Sequence, residues 1–128
     1  MPNEKAILTI STSGEISIEV VDEKDDFLRV MQQAVDGRVQ TVPDIGRLSR
    51  IFGQLNLIMI CNEDVMGQAL ECNLLAGSIS GYEPLFGPVA IVQRIRTEDG
   101  ELDLAPFSID EAVRLYRRGL LMTFEMEG

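Results

Sequence analysis

The chain has 128 residues, of which 45% are hydrophobic and 25% charged, a composition typical of one ordinary globular domain. Its formal net charge of -10 disfavours direct binding to nucleic acid or to an anionic membrane surface. No apolar run is long enough to cross a bilayer, and the N-terminus lacks a signal-peptide pattern, so we expect a single cytoplasmic domain over residues 1–128.

The first part of the chain predicts a β-hairpin followed by a helix. Residues 6–12 are β-prone, and residues 15–20 alternate polar with apolar side chains after a Ser13-Gly14 turn. Apolar residues recur every three or four positions from Phe27 to Val35, which predicts an amphipathic helix. We expect Gly37 to supply the left-handed residue that ends it.

The middle of the chain predicts short elements around one buried strand. We expect a strand over 38–42 that stops at Pro43, then one or two helical turns within 44–54. Residues 57–61 are all apolar, which predicts the central strand, covered on both faces. Residues 62–82 predict a long, irregular connection with one helical turn near 69–75.

The last part predicts a second hairpin and a capped helix. Residues 89–95 form another apolar strand, and residues 98–101 carry a hairpin-turn signal before 102–104. Ser108 and Glu111 form a capping box, which predicts a helix start. Gly119 is expected to end this helix, and residues 120–126 favour a last strand, with a continued helix as the alternative.

These elements predict an α+β fold in one compact domain. We expect a mostly antiparallel sheet of about five to seven strands with two main helices packed on one face. The exposed edges of so small a sheet would allow two copies to pair as a homodimer.

The sequence lacks the residues that many active sites need. It has no histidine and two cysteines, which argues against Ser-His or Cys-His nucleophiles and against a zinc site. Neither G-x-G-x-x-G nor G-x-x-x-x-G-K-[ST] is present. We therefore expect no enzymatic activity, no metal and no cofactor.

Two sets of polar residues are candidates for function. The candidate ligand-binding residues are Asn62, Asn73, Arg94, Arg96 and Arg114, because an amide both donates and accepts and a guanidinium binds anions. Turn chemistry for the asparagines and surface ion pairs for the arginines are the simpler explanations of the same residues, and we rank them ahead of a ligand site. The candidate interaction surface consists of Asp22, Asp25, Asp26, Glu63, Asp64, Glu98, Asp99, Glu101 and Asp103.

The order of short motifs resembles a known family. Cys61-Asn62-Glu63 ends an apolar strand, Asn73 and Phe86-Gly87-Pro88 follow, and Phe107-Ser108-Ile109-Asp110-Glu111 starts a helix. This order is similar to the uncharacterised domain of phages, plasmids and other mobile elements catalogued as domain of unknown function thirty-eight forty-six. The resemblance implies a genomic setting and no particular reaction.

Three hypotheses of function follow. The first is a non-enzymatic accessory protein of a phage or mobile element that binds a host or phage protein, in counter-defence for example, through its acidic surface. The alternative is a protein that binds or sequesters a small, nucleotide-like ligand. An enzyme that works through carboxylates ranks last, because no motif places a pair of acids in a recognisable cleft.

Overall fold

A computed structural model of the chain describes residues 4–43, 46–64, 70–82 and 84–127, with side chains up to Thr123. The strands are β1 (Lys5–Ile10), β2 (Ile16–Val21), β3 (Val39–Thr41), β4 (Leu57–Asn62), β5 (Val89–Arg96), β6 (Leu102–Ala105) and β7 (Phe107–Ser108). The helices are α1 (Phe27–Val35), α2 (Arg47–Phe52), α3 (Leu74–Ser80) and α4 (Ile109–Glu127).

The seven strands of the described residues join one antiparallel sheet, which confirms the predicted α+β class. The main order is β2-β1-β5-β4-β3, while β6 pairs with the end of β5 and β7 with the start of β1. The centre of this order is β5, and β4, which we expected there, lies beside it. All six residues of β4 are nevertheless buried, as predicted from its continuous apolar run.

Helices cover both faces of the sheet, so the prediction that they share one face is wrong. On one face Met31 and Val35 of α1 pack on Ile58, Ile60 and other residues of a small cluster. On the other face α2, α3 and α4 cover the larger cluster. The reason is that β1, β4 and β5 carry consecutive apolar residues, which place apolar side chains on both faces of the sheet.

An aspartate flanks helix α1 at each end. The Oδ1 atom of Asp26 accepts a hydrogen bond from the backbone N–H of Leu28 at 3.2 Å, which caps the helix. The left-handed residue after the helix is Asp36, with a φ of 65°, and not Gly37 as predicted. A Cβ on Gly37 would lie 2.5 Å from Nδ2 of Asn62, so close packing explains this glycine.

Helix α4 confirms the capping box and corrects the predicted helix end. The backbone N–H of Glu111 donates to the Ser108 hydroxyl at 3.2 Å, and that of Ser108 donates to the Glu111 carboxylate at 3.4 Å. The helix continues to Glu127, so the predictions of a stop at Gly119 and a strand over 120–126 are wrong. A Cβ on Gly119 would lie 2.6 Å from the Phe52 ring, and a helix tolerates one glycine for about 1 kcal/mol.

Two further predictions concern the connections. Helix α2 lies within 44–54, as expected. The helical turn expected near 69–75 lies later, at α3, and residues 65–69 are outside the described residues.

Candidate functional site

Asn62 is buried at the end of β4 and ties this strand to the end of α1. Its Nδ2 atom donates to the carbonyl oxygens of Val35 at 3.2 Å and Asp36 at 3.0 Å. Its Oδ1 atom accepts from the backbone N–H of Asp64 at 2.7 Å. Both amide hydrogens are therefore used within the fold.

Asn73 is also buried, and it joins three separate parts of the chain. Its Oδ1 atom accepts from the backbone N–H of Ala76 at 3.0 Å, which caps α3. Its Nδ2 atom donates to the carbonyl oxygens of Ile10 at 3.0 Å and Gly87 at 2.9 Å. The geometry of both asparagines is that of structural amides whose partners are backbone groups.

The three candidate arginines are exposed and lie apart from the asparagines. Arg94 and Arg96 stand near the end of β5, whereas Asn62 and Asn73 lie near the end where β5 begins. Arg94 and Arg96 are two and four residues after Val92, and therefore share its face, the face that α1 covers. Arg114 stands on α4, which covers the other face, so the structure does not bring the five residues into one site.

Two of these arginines have local roles in the structure. Nη1 of Arg96 donates to the carbonyl oxygen of Gly100 at 2.6 Å and braces the β5–β6 hairpin. Nη2 of Arg114 donates to Oε1 of Gln54 at 3.0 Å. These bonds fix the hairpin and the contact between α4 and the loop after α2.

The acidic residues are exposed and divide between the two ends of the sheet. Val21, at the end of β2, pairs with Lys5, and β1 runs antiparallel to β5. The segment after β2 and the hairpin after β5 therefore lie at the same end. This acidic end carries Asp22, Asp25, Asp26, Glu98, Asp99, Glu101 and Asp103. Glu63 and Asp64 follow β4 and lie at the opposite end.

Two acidic residues outside the candidate interaction surface, Glu4 and Glu23, also lie at the acidic end. Glu4 and Glu23, with Asp22 and Asp25, line a groove of about 470 Å³ whose apolar part is Val20 and Val21. Their positions in the sequence indicate this proximity, because Glu4 precedes β1 and Glu23 follows β2. Antiparallel pairing brings these two positions together.

A second cleft, of about 290 Å³, lies beside Asn62 at the other end. Its walls include Thr41, Cys61, Tyr82 and Phe86. Burial raises the pKa of the Cys61 thiol, which holds it in its protonated, unreactive form at neutral pH. Cys72 is exposed, and neither cysteine is in a disulfide.

The described residues form neither a metal-binding cluster nor a membrane-spanning helix. Within the described ranges, no three acidic or cysteine side chains are grouped so that they could hold a metal ion. None of the helices described combines the length and the apolar character needed to cross a membrane.

A family model matches this chain over residues 5–117, from the first residue of β1 into α4. That family is described as Domain of unknown function (DUF3846). The chain belongs to the DUF3846 family. The resemblance inferred from the motifs around Asn62, Asn73 and Ser108 is thus confirmed, and no curated protein matches the chain.

One similar solved structure is described as the crystal structure of small RNA methyltransferase HEN1. The TM-score is 0.58 at 13% sequence identity, and the match covers 90% of this chain but 16% of the other. A similarity this distant concerns the fold alone. This DUF3846 chain therefore shares an arrangement of strands and helices with a small part of a much longer protein.

Proposed function

We propose that this DUF3846 protein is a non-enzymatic accessory protein of a phage or mobile element, and that it works in the cytoplasm. Its acidic end binds a basic surface of a host or phage protein, and counter-defence is the role we favour. The observation that supports this proposal is the placement of two acidic segments, 22–26 and 98–103, at the same end of the sheet.

Geometry and charge favour a protein as the partner. The β5–β6 hairpin projects past the ends of β1 and β2, because its turn follows Arg96 while Lys5 pairs with Val21. Beside it, the groove offers the exposed side chain of Val20 within a rim of four carboxylates and Lys24. An interface commonly combines such an apolar centre with a charged rim that steers association.

The nucleotide-like ligand is less well supported. The side-chain N–H groups of Asn62 and Asn73 already donate to backbone carbonyl oxygens. Arg94 and Arg96 are near the other end of β5, and roughly 20 Å of strand separates such positions. A phosphate cannot contact both groups at once.

The test is a binding experiment with two variants of equal net charge. The first carries Glu98→Gln, Glu101→Gln and Asp103→Asn in the hairpin. The control carries Glu15→Gln, Glu63→Gln and Glu71→Gln, which are exposed residues elsewhere. Each protein is tagged, incubated with lysate of the bacterial host and analysed for stoichiometric protein partners at low and high salt.

We expect the wild type and the control to retain the same partner and the hairpin variant to lose it, with binding weakened by salt. Equal retention by both variants would show that the acidic end is not the binding surface. Failure of the wild type to retain any stoichiometric protein would contradict the proposal as a whole.

A further inference from the structure

The outer edge of β2 is an open sheet edge. Within the described part of the chain, β2 pairs with β1 on one side and with no strand on the other. Its pairing with β1 is one-to-one over six residues, without a bulge. It contains no proline and no lysine, the residues that commonly protect an edge from pairing with another strand.

The β1–β2 turn determines which backbone groups point outward. The N–H of Ser11 donates to the carbonyl oxygen of Glu15 at 2.9 Å, so these residues form a hydrogen-bonded pair. Because such pairs alternate along an antiparallel ladder, the odd-numbered residues of β2 bond to β1. Ile16, Ile18 and Val20 therefore direct their N–H and C=O groups away from the sheet.

This edge is complementary to itself. If a second copy pairs antiparallel with Ile18 opposite Ile18, then Ile16 lies opposite Val20 of that copy. All three residues with outward backbone groups then find partners, which gives about six interchain hydrogen bonds. A register centred on Glu19 would place two carboxylates directly opposite each other, which is unfavourable.

Helix α4 presents an apolar flank beside the same edge. On the opposite flank, Arg118 donates to the carbonyl oxygen of Ile51 at 3.2 Å, so that flank faces α2. At about 100° per residue, Val113, Tyr116 and Leu120 lie on the flank away from α2. Leu120 is 42% exposed and Val20 of β2 is 60% exposed. Apolar area is therefore available on both the helix and the strand.

The helix and the strand agree on one symmetry axis. A Cβ on Gly119 would lie 3.4 Å from Cδ1 of Ile16, so these residues are level. Ile18 is roughly 7 Å further along β2, which corresponds to about four or five residues back along α4 and brings it level with Arg114 or Leu115. Val113 and Tyr116 stand on either side of this level, so a two-fold axis there pairs them with each other and directs Leu120 toward the N-terminal part of α4 in the second copy.

We propose that two copies of this chain form a dimer by pairing their β2 edges antiparallel about Ile18, with the apolar flanks of α4 packed across the same axis. The strand pair alone is a small contact, and the helix flanks supply the additional apolar area that a stable interface needs. The 98–103 hairpin is outside this interface, but the interface shares Val20 with the groove at the acidic end.

The first test measures the mass of the protein by light scattering over a wide concentration series. We expect a dimer that dissociates on dilution and is favoured by added salt, because each copy carries a net charge of -10. Val20→Lys and Leu120→Lys should each raise the dissociation constant at least about tenfold. The matched controls are Leu55→Lys and Leu74→Lys, at sites 88% and 74% exposed, and these should remain dimeric.

The second test determines the register by oxidative cross-linking in a Cys72→Ser background. The cysteines introduced by Ile18→Cys, one in each copy, would have Cα atoms about 5.5 Å apart, within the range of a disulfide. Those from Glu19→Cys would be about 7–8 Å apart and should not cross-link. A wild type that is monomeric at every concentration, a dimer unaffected by Val20→Lys, or cross-linking through position 19 instead of 18 would overturn the proposal.

Discussion

Replacing Asn73 with alanine should destabilise the protein strongly, because its side chain holds three parts of the fold together. The substitution removes the cap of α3, which is worth about 1 kcal/mol. It also leaves the buried carbonyl oxygens of Ile10 and Gly87 without their donor, at about 1–3 kcal/mol each. We therefore expect a loss of about 3–7 kcal/mol, a large part of a typical stability of about 5–15 kcal/mol.

Urea denaturation followed by circular dichroism measures this loss, with Asn56→Ala as the control. The Asn56 amide is exposed, and its Nδ2 donates to Oε1 of Gln93 at 3.2 Å, so its removal should cost less than about 1 kcal/mol. A loss below about 1 kcal/mol for Asn73→Ala, with an unchanged m-value, would refute this reasoning. It would also return Asn73 to the list of candidate ligand-binding residues.

Four further predictions concern close packing and the two cysteines. Gly37→Ala should lower the free energy of unfolding by about 1–3 kcal/mol, because the new Cβ would clash with the buried side-chain amide of Asn62 in β4. An unchanged denaturation midpoint would contradict this. Gly119→Ala should also lower the melting temperature, because the clash of the new Cβ with the ring of Phe52 outweighs the gain of about 1 kcal/mol in helix propensity. A higher melting temperature would show that the ring moves aside and would contradict this prediction. A thiol reagent should modify Cys72 and spare Cys61 in the native protein, and both should react after denaturation. Because the pKa of Cys61 is raised in the folded state, its contribution to stability is present at neutral pH and decreases as the pH rises above the ordinary thiol value of 9.0; Cys61→Ala should reduce that decrease.

The local elements of this protein follow from short-range patterns. Alternation after Ser13-Gly14 predicted β2, the spacing from Phe27 predicted α1, and Ser108 with Glu111 predicted the start of α4. Each of these features depends on residues within one or two turns of the chain, where backbone hydrogen bonds and capping are decided. The family was also predictable from short motifs.

The glycines show where this kind of prediction fails. The sequence placed helix ends at Gly37 and Gly119, since glycine often follows a helix. The fold uses them for contacts with Asn62 and Phe52, residues 25 and 67 positions away in the chain. No local pattern contains that information, because such an approach depends on how α1 and α4 pack on distant elements.

The sequence by itself determined the net charge of the chain, the absence of histidine chemistry and the type of most elements. Only the tertiary structure decided that α1 covers the face opposite the other helices, and that segments 22–26 and 98–103 meet at one end while Glu63 and Asp64 lie at the other. It also buried both candidate asparagines and separated them from Arg94, Arg96 and Arg114. The physical reason is that antiparallel register sets which strand ends meet, and register is decided by contacts between residues far apart in the chain.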